Sequence, residues 1–185
     1  PNLIKLKSEI EILAKNYVDK MLEAGSECDF VKDISALYPL RVIMTILGVP
    51  PEDEDLMLKL TQQLFGGNDE DMKRSEEESI DSNVIADFFN YFTALTEERR
   101  KNPTDDVATV IANAKFEGEQ IGHLEAMSYY TIIATAGHDT TSSSTAGGVL
   151  ALIENPNELK KLKDNPSIMP MAIDETIRWV TPVKN

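Results

Sequence analysis

Residues 132–153 read Ile-Ile-Ala-Thr-Ala-Gly-His-Asp-Thr-Thr-Ser-Ser-Ser-Thr-Ala-Gly-Gly-Val-Leu-Ala-Leu-Ile, two apolar segments with a polar run at residues 138–145 between them. Serine, threonine and aspartate weaken helix interiors because their side chains compete for backbone hydrogen bonds. The surrounding pattern is nevertheless helical from Glu119 to about Glu154. We therefore predict one long central helix of about 36 residues, roughly 54 Å, whose polar run binds a ligand.

One face of this helix carries mostly small side chains. Ile133, Gly137, Thr140, Ser144 and Gly148 recur at helical spacing, so they share a face. A flat ligand can lie close to such a face. The same composition also allows a second interpretation, in which the polar run is a Ser/Thr-rich loop between two shorter helices.

Helical periodicity also dominates the rest of the chain. No segment alternates as a β-strand would, and no internal repeat is present, so the predicted fold class is all-α. Residues 66–81 are acidic and polar, which is typical of a mobile loop. Further helices are predicted from Leu3 to near Gly25, from Tyr38 to Leu47, from Pro51 to about Phe65, from Val84 to Leu95, after the capping run 102–106, and from Pro156 and Pro166.

Charge and cysteine content exclude several classes of protein. The 185 residues carry a formal net charge of −14, and residues 51–87 hold twelve acidic against three basic side chains. This argues against nucleic acids and anionic membranes, which need clustered cations. The single cysteine, Cys28, excludes a disulfide framework and a zinc site built from cysteines. No apolar run has the roughly 18 residues of a membrane span, and we expect a cytoplasmic protein.

A second motif lies 35 residues after Thr140. Glu175 and Arg178 are three residues apart on a predicted helix, so their side chains can pair. Such a pair arises by chance in most acidic helical proteins and is usually a surface ion pair. The segment Trp179-Val-Thr-Pro-Val183 follows, and its proline ends the helix.

In order and spacing, these motifs resemble those of the cytochrome P-450 monooxygenases. Ala136-Gly-His-Asp-Thr-Thr141 resembles the oxygen-activation motif in the long central helix of that family, and Glu175-Thr-Ile-Arg178 resembles its Glu-x-x-Arg helix. Residues 38–50 are similar to an earlier helix of the soluble bacterial members. The resemblance covers essentially the whole chain. It implies a partial cytochrome P-450 fold, with residues 1–185 as the helical middle portion of one catalytic domain.

The resemblance also implies roles for individual residues. Thr140 corresponds to the alcohol that hydrogen-bonds dioxygen, and Asp139 to the acid that relays protons. His138 corresponds to a variable position, which we interpret as a packing residue. The implied positions are Ile133, Ala136, Gly137, Thr140 and Thr141 at the haem, Ile132, Thr135 and Val183 at the substrate pocket, and Glu175 and Arg178 in a structural network.

The resemblance further implies haem b as cofactor. It also implies dioxygen, a small apolar substrate of terpenoid or steroid type, and a ferredoxin-type redox partner for the intact enzyme. The family holds its iron by a cysteine in a Phe-x-x-Gly-x-x-x-Cys loop, well after the Glu-x-x-Arg helix. The sequence ends at Asn185 without such a loop, and Cys28 lacks its flanking residues. We therefore expect a fragment that contains no metal ligand and is inactive alone.

Two alternatives come from other classes. An all-α metallophosphohydrolase would use His138 and Asp139, with His123 and a later acid such as Asp174. His123 and His138 are fifteen residues apart, roughly 22 Å along one continuous helix, so they cannot share a metal unless the helix breaks. The other alternative is a non-catalytic helical interaction module in which the polar run is only a loop.

Overall fold

The computed structural model describes residues 2–65 and 84–183; for residues 2–5 and 62–65 only the backbone is described. The predicted acidic loop at 66–81 lies outside these residues. The described chain forms two compact units, a first unit of Pro1–Pro39 and Ala136–Asn185 and a second unit of Leu40–Thr135. None of the helices described is both long and apolar enough to cross a membrane.

The described chain is almost entirely helical, which confirms the all-α prediction. A π-helical turn at Val31–Ser35 and 3-10 turns at Pro51–Asp53 and Pro166–Ile168 connect longer elements. These elements are α1 (Asn2–Glu23), α2 (Leu37–Leu47), α3 (Glu54–Phe65), α4 (Val84–Lys101), α5 (Val107–Ala112), β1 (Lys115–Phe116), β2 (Glu119–Gln120), α6 (His123–Ala136), α7 (Asp139–Glu154), α8 (Pro156–Asp164) and α9 (Met169–Val180).

The second unit contains the main hydrophobic core. Phe92 of α4 and Tyr130 of α6 are fully buried and stack with their ring centroids 4.6 Å apart. The Thr96 hydroxyl lies 3.2 Å from the Tyr130 hydroxyl and donates to the Phe92 carbonyl, so the buried polar atoms are paired. Around them pack buried apolar side chains from α2, α3 and the neighbouring segments: Leu40, Ile43, Met44, Leu47, Val49, Met57, Leu60, Phe88, Leu95, Ala108, Ile111, Ala126 and Ala134.

A buried ion pair joins three segments of the second unit. Asp106 caps α5, its Oδ1 accepting from the Thr109 amide at 2.7 Å, and its Oδ2 lies 2.6 Å from Nε of Arg99. Arg99 also donates through Nη2 to the Gly48 carbonyl at 2.7 Å. Burial raises the pKa of Asp106, but hydrogen bonds from Thr104, Thr109 and Arg99 outweigh it and hold that pKa below its ordinary value.

A short hairpin corrects the predicted start of the central helix. The sequence pattern predicts helix from Glu119, whereas Phe116 pairs with Glu119 and Lys115 with Gln120 in an antiparallel ladder. The turn residues Glu117 and Gly118 have φ values of 52° and 89°, which matches the left-handed conformation that tight hairpin turns require. The helix therefore begins only at His123.

In the first unit, α7 packs against α9 and against the π-helical turn. The contact with α9 depends on two adjacent glycines. A Cβ atom on Gly148 would lie 2.5 Å from Cγ2 of Thr176, and one on Gly147 would lie 2.6 Å from Cγ2 of Val180. Because such distances are too short for carbon atoms, only glycine lets the two helices approach this closely.

Candidate functional site

The predicted single central helix is interrupted in the structure. Helix α6 ends at Ala136, α7 begins at Asp139, and Gly137 and His138 form a turn between them. The polar residues 139–145 lie inside α7, so they do not form the loop of the alternative interpretation. Glycine favours such an interruption because it weakens helices. The sequence pattern missed it because apolar helical periodicity continues on both sides of the turn.

Threonine hydroxyls bond to backbone carbonyls around this turn. Oγ1 of Thr140 donates to the carbonyl of Ala136 at 2.8 Å, and Oγ1 of Thr145 donates to that of Thr141 at 2.7 Å. Such bonds back to the preceding turn often bend helices. Since Thr140 uses its one proton in this bond, its oxygen presents lone pairs to an approaching ligand and acts as an acceptor.

His138 is buried and held by two polar contacts. Its side chain is 5% exposed, Nε2 lies 2.8 Å from the carbonyl of Ala36, and Nδ1 lies 3.2 Å from Oδ1 of Asp139. Burial lowers the pKa of His138, but the contacts with Asp139 and Ala36 outweigh it and hold that pKa above its ordinary value. The Asp139 side chain is 55% exposed, so it connects the buried imidazole with solvent.

A cavity of about 530 Å³ opens beside Thr140, between α7 and α9. Its volume is within the range of ligand sites, about 300–1,000 Å³. Asp139 is not among the lining residues. The lining combines hydroxyl and small side chains of α7 with apolar side chains, from Thr140, Thr141, Ser144, Thr145, Gly148, Val149, Leu152, Met169, Ile173, Thr176, Ile177 and Pro182.

Glu175 and Arg178 form the ion pair that their spacing allows. Nε of Arg178 donates to Oε2 of Glu175 at 2.7 Å, and Nη2 donates to Oε1 at 2.6 Å. The bidentate contact with Arg178 lowers the pKa of Glu175. Both side chains are exposed, and the structural role that the resemblance gives them stays a prediction.

The predicted pocket residues divide between the two units. Ile132, Ile133 and Thr135 lie in the last turns of α6 in the second unit, where Ile132 is largely exposed. Val183 follows α9 in the first unit and is also exposed. Ala136 and Gly137 lie at the turn, and Thr140 and Thr141 line the cavity. The sequence analysis did not single out Thr176, Ile177 or the Ala36 carbonyl. Thr176 and Ile177 occupy the two unspecified positions of the Glu-x-x-Arg motif, and a backbone carbonyl has no sequence signal.

The residues present fit one side of a haem. Small side chains at the turn and an apolar cavity with hydroxyl groups suit a flat, largely apolar macrocycle. Cys28 is exposed and lies outside this cavity, so it does not fit the role of iron ligand. Among residues 6–61 and 84–183, no group of three or more His, Cys, Asp or Glu side chains is placed to hold a metal ion.

Comparison with known proteins gives strong matches over nearly the whole chain. Cytochrome P-450-terp of a Pseudomonas species is 43% identical over 189 residues, which cover 98% of this chain and 44% of that protein. A steroid C26-monooxygenase of Mycobacterium tuberculosis is 32% identical over 179 residues, which cover 97% of this chain and 48% of that protein. No family model matches the chain.

The fold gives the same result. The crystal structure of CYP108D1 from Novosphingobium aromaticivorans matches with a TM-score of 0.85 at 49% sequence identity, over 99% of this chain and 43% of that one. The chain thus spans a little under half the length of the relatives that it matches. With these relatives, this helical fold and the Ala136–Thr141 turn beside a hydroxyl-lined cavity, the chain belongs to the cytochrome P-450 family.

Proposed function

We propose that the protein containing this chain is a haem-dependent monooxygenase that activates dioxygen and hydroxylates a small apolar substrate. The observation that carries the proposal is the position of the Thr140 hydroxyl. This hydroxyl donates to the Ala136 carbonyl at a helix interruption and lines a cavity with mostly apolar walls, so its oxygen offers hydrogen-bond acceptor capacity beside apolar side chains.

The haem would supply the binding and reduction of dioxygen, and its iron ligand does not come from Cys28. Ala136 and Gly137 leave room beside the turn because their side chains are small. The Thr140 oxygen, whose proton is used in the bond to Ala136, would accept a hydrogen bond from a water molecule or hydroxyl group at the site and hold that donor in position. Asp139, whose side chain is more than half exposed, would pass protons between solvent and the site, as a general acid must.

A terpenoid or steroid-like substrate is our further proposal. It is supported by the names of two relatives, cytochrome P-450-terp and steroid C26-monooxygenase. An apolar substrate also agrees with the exposed apolar side chain of Val183, for which the family resemblance implies a position at the substrate pocket. We propose in addition a ferredoxin-type redox partner and a cytoplasmic location, as the resemblance to soluble bacterial members implies.

Substitution of Thr140 tests the monooxygenase proposal in the whole protein. Thr140→Ala removes the acceptor, so we expect about 10-fold less product per electron consumed, the order of one lost hydrogen bond, with the remainder released as reduced oxygen. Thr140→Ser keeps the hydroxyl and should retain most of the coupling. The matched control is Ser143→Ala, an exposed position on the same helix. Equal coupling in Thr140→Ala and the wild type would overturn the role of Thr140.

The two alternative functions have less support. The described residues offer no cluster of three metal-ligating side chains, which a metallophosphohydrolase would use. The alternative of a non-catalytic interaction module assumes that the polar run is a loop, whereas residues 139–145 are helical. Iron and haem content of the purified whole protein decides between these classes, since a tightly bound divalent metal without haem would favour the hydrolase.

A further inference from the structure

The interior of the first unit contains a histidine for which the resemblance gave only a packing role. His138 sits in the turn between α6 and α7, and both of its ring nitrogens have polar neighbours. Any buried imidazole needs polar partners for its ring nitrogens, so the chemical nature of these two partners is what is informative. Two polar contacts from one buried imidazole constrain where its protons are.

The first contact fixes one proton. Nε2 lies 2.8 Å from the carbonyl oxygen of Ala36. A carbonyl oxygen only accepts hydrogen bonds, so Nε2 carries a hydrogen and donates it. In a neutral imidazole the other nitrogen, Nδ1, would then be an unprotonated acceptor.

The second contact is incompatible with that neutral form. Nδ1 lies 3.2 Å from Oδ1 of Asp139, and an ionised carboxylate is also an acceptor only. Two lone pairs facing each other at this distance repel, particularly where one of the groups is buried. A proton between Nδ1 and Oδ1 removes the repulsion and turns the contact into an ion pair.

We propose that His138 and Asp139 form a proton-holding pair, in which the imidazole, fixed to the Ala36 carbonyl through Nε2–H, carries a second proton on Nδ1 and shares it with the carboxylate. The pair is then neutral and holds one transferable proton directly beside Thr140 in the chain. His138 is a positioning residue, because it acts through Asp139. The contacts that raise the pKa of His138 agree with this assignment.

Asp139 provides the charge that acts on the imidazole. The π-helical turn that packs against α7 carries Lys32 and Asp33, both exposed. Helix α9 carries three further charged residues, all exposed: Asp174, Glu175 and Arg178. Helix α8 follows the far end of α7, about 24 Å from His138 along the helix. The only charge that contributes to the raised pKa of His138 is that of Asp139.

A simple proton transfer follows from the geometry. The proton moves from Nδ1 of His138 to Oδ1 of Asp139, which leaves a neutral imidazole and a carboxylic acid. The acid then gives the proton to an acceptor and becomes a carboxylate again. Solvent reloads the pair, because the Asp139 side chain is 55% exposed.

Nitrogen NMR of the histidine rings tests the pair in the 185-residue chain. The sequence has two histidines, His123 and His138, so 15N-histidine labelling gives two sets of ring signals, which His123→Gln assigns. At pH 7 we expect protons on both ring nitrogens of His138. In Asp139→Asn we expect the Nδ1 proton to be lost at pH 7 and the titration of His138 to move to lower pH.

The matched control is Asp174→Asn. It removes the same charge from an exposed position on α9 and should leave the His138 signals unchanged. Backbone amide signals of α7 that stay in place in Asp139→Asn exclude a general change of structure. An Nδ1 without a proton at pH 7 overturns the proposal, as does a His138 titration that is the same in Asp139→Asn and the wild type.

A consequence for catalysis rests on the proposed monooxygenase function. In the whole protein, His138→Gln keeps an N–H donor for Ala36 but holds no transferable proton. We expect its coupling of product to electrons to lose the pH dependence of the wild type and its solvent deuterium isotope effect to increase. If the protein lacks monooxygenase activity, the proposed function fails while the ring-nitrogen result stands. An unchanged pH profile in an active enzyme removes only the catalytic consequence.

Discussion

At the scale of single residues, His138 links the stability of the first unit to pH. Its folded-state pKa is raised above the unfolded value of about 6.5. The stabilisation that protonated His138 contributes is therefore fully present below the unfolded pKa, and it is lost as the pH rises through the folded pKa. We expect His138→Gln to lower the free energy of unfolding by about 1–3 kcal/mol at pH 6, and by less at pH 9. Urea unfolding of both proteins at the two pH values measures the difference.

Asp106 has the opposite pH dependence in the second unit. Its side chain is 8% exposed and pairs with Arg99. Because its folded-state pKa is lowered, its contribution is present above the unfolded pKa of about 3.9 and is lost as the pH falls through the folded value. We expect Asp106→Ala to cost about 3–5 kcal/mol at pH 7, since it leaves Arg99 buried without its partner.

Asp106→Asn separates the two functions of that carboxylate. An asparagine oxygen still accepts from the Thr109 amide and keeps the cap of α5, worth about 1 kcal/mol, but it has no charge for Arg99. Its loss of stability should therefore be smaller than that of Asp106→Ala. Asp174→Ala, at an exposed position, should stay within about 0.5 kcal/mol of the wild type. Equal stability of Asp106→Ala and Asp174→Ala would contradict the buried ion pair.

At the scale of elements, the contact between α7 and α9 depends on a missing side chain. In an ordinary helix Gly→Ala stabilises by about 1 kcal/mol. At Gly148 the new Cβ would lie 2.5 Å from Cγ2 of Thr176, and the Thr176 side chain is fixed by a 2.8 Å hydrogen bond to the Ala172 carbonyl. We expect Gly148→Ala to destabilise the first unit by about 1–3 kcal/mol, as overpacked sites do.

The double variant Gly148→Ala with Thr176→Ser identifies the atom responsible. Serine keeps the hydroxyl and removes only the methyl group that the new Cβ would meet. Its stability should return to that of Thr176→Ser alone or exceed it, and urea midpoints of the four proteins give the coupling energy. A Gly148→Ala protein more stable than the wild type would show that α7 and α9 are not in close contact.

The elements also show what the sequence could and could not predict. Helices with proline or glycine at their ends were predicted well: α2 begins and ends within a residue of its predicted positions, and α8 begins at the predicted Pro156. The central helix was predicted as continuous because the spacing of apolar residues does not reveal an interruption as short as the turn at Gly137–His138. The hairpin was missed because its two-residue strands are too short to alternate, although Gly118 marks its turn.

The same limits apply to the candidate site. Thr140, Asp139, Glu175 and Arg178 are predicted site residues because each belongs to a short local motif, and the structure forms the Glu175–Arg178 contact. The partner of His138 could not be identified, because it is a backbone carbonyl 102 residues away, and every residue has one. Thr176 lines the cavity, but it occupies an unspecified position between Glu175 and Arg178, so the motif does not predict a role for it.

At the scale of the whole molecule, α7 and α9 expose several large apolar side chains. Met171 and Trp179 are 72% and 65% exposed, and Leu150, Ile153, Ile173 and Ile177 are exposed as well. Exposed apolar surface drives association in water. We expect the 185-residue chain to self-associate as its concentration rises.

Sedimentation of two variants tests this expectation. Met171→Lys places a charge in the exposed apolar set and should shift the chain towards the monomer at a given concentration. Lys163→Glu changes an exposed charge on α8 outside that set and serves as the control. A wild-type chain that stays monomeric at all concentrations, with the same helical content, would contradict the prediction.

Trp179 is an intrinsic fluorescence probe of the surface on which it lies. It is the only tryptophan in the sequence, and it lines a cavity of about 490 Å³ between α7, α8 and α9. Indole emission shifts to shorter wavelength when the ring leaves water, so anything that covers this surface changes the fluorescence of one identified residue. Emission spectra can therefore follow the covering of this surface by another molecule, by another copy of the chain or by additional polypeptide, without any attached label.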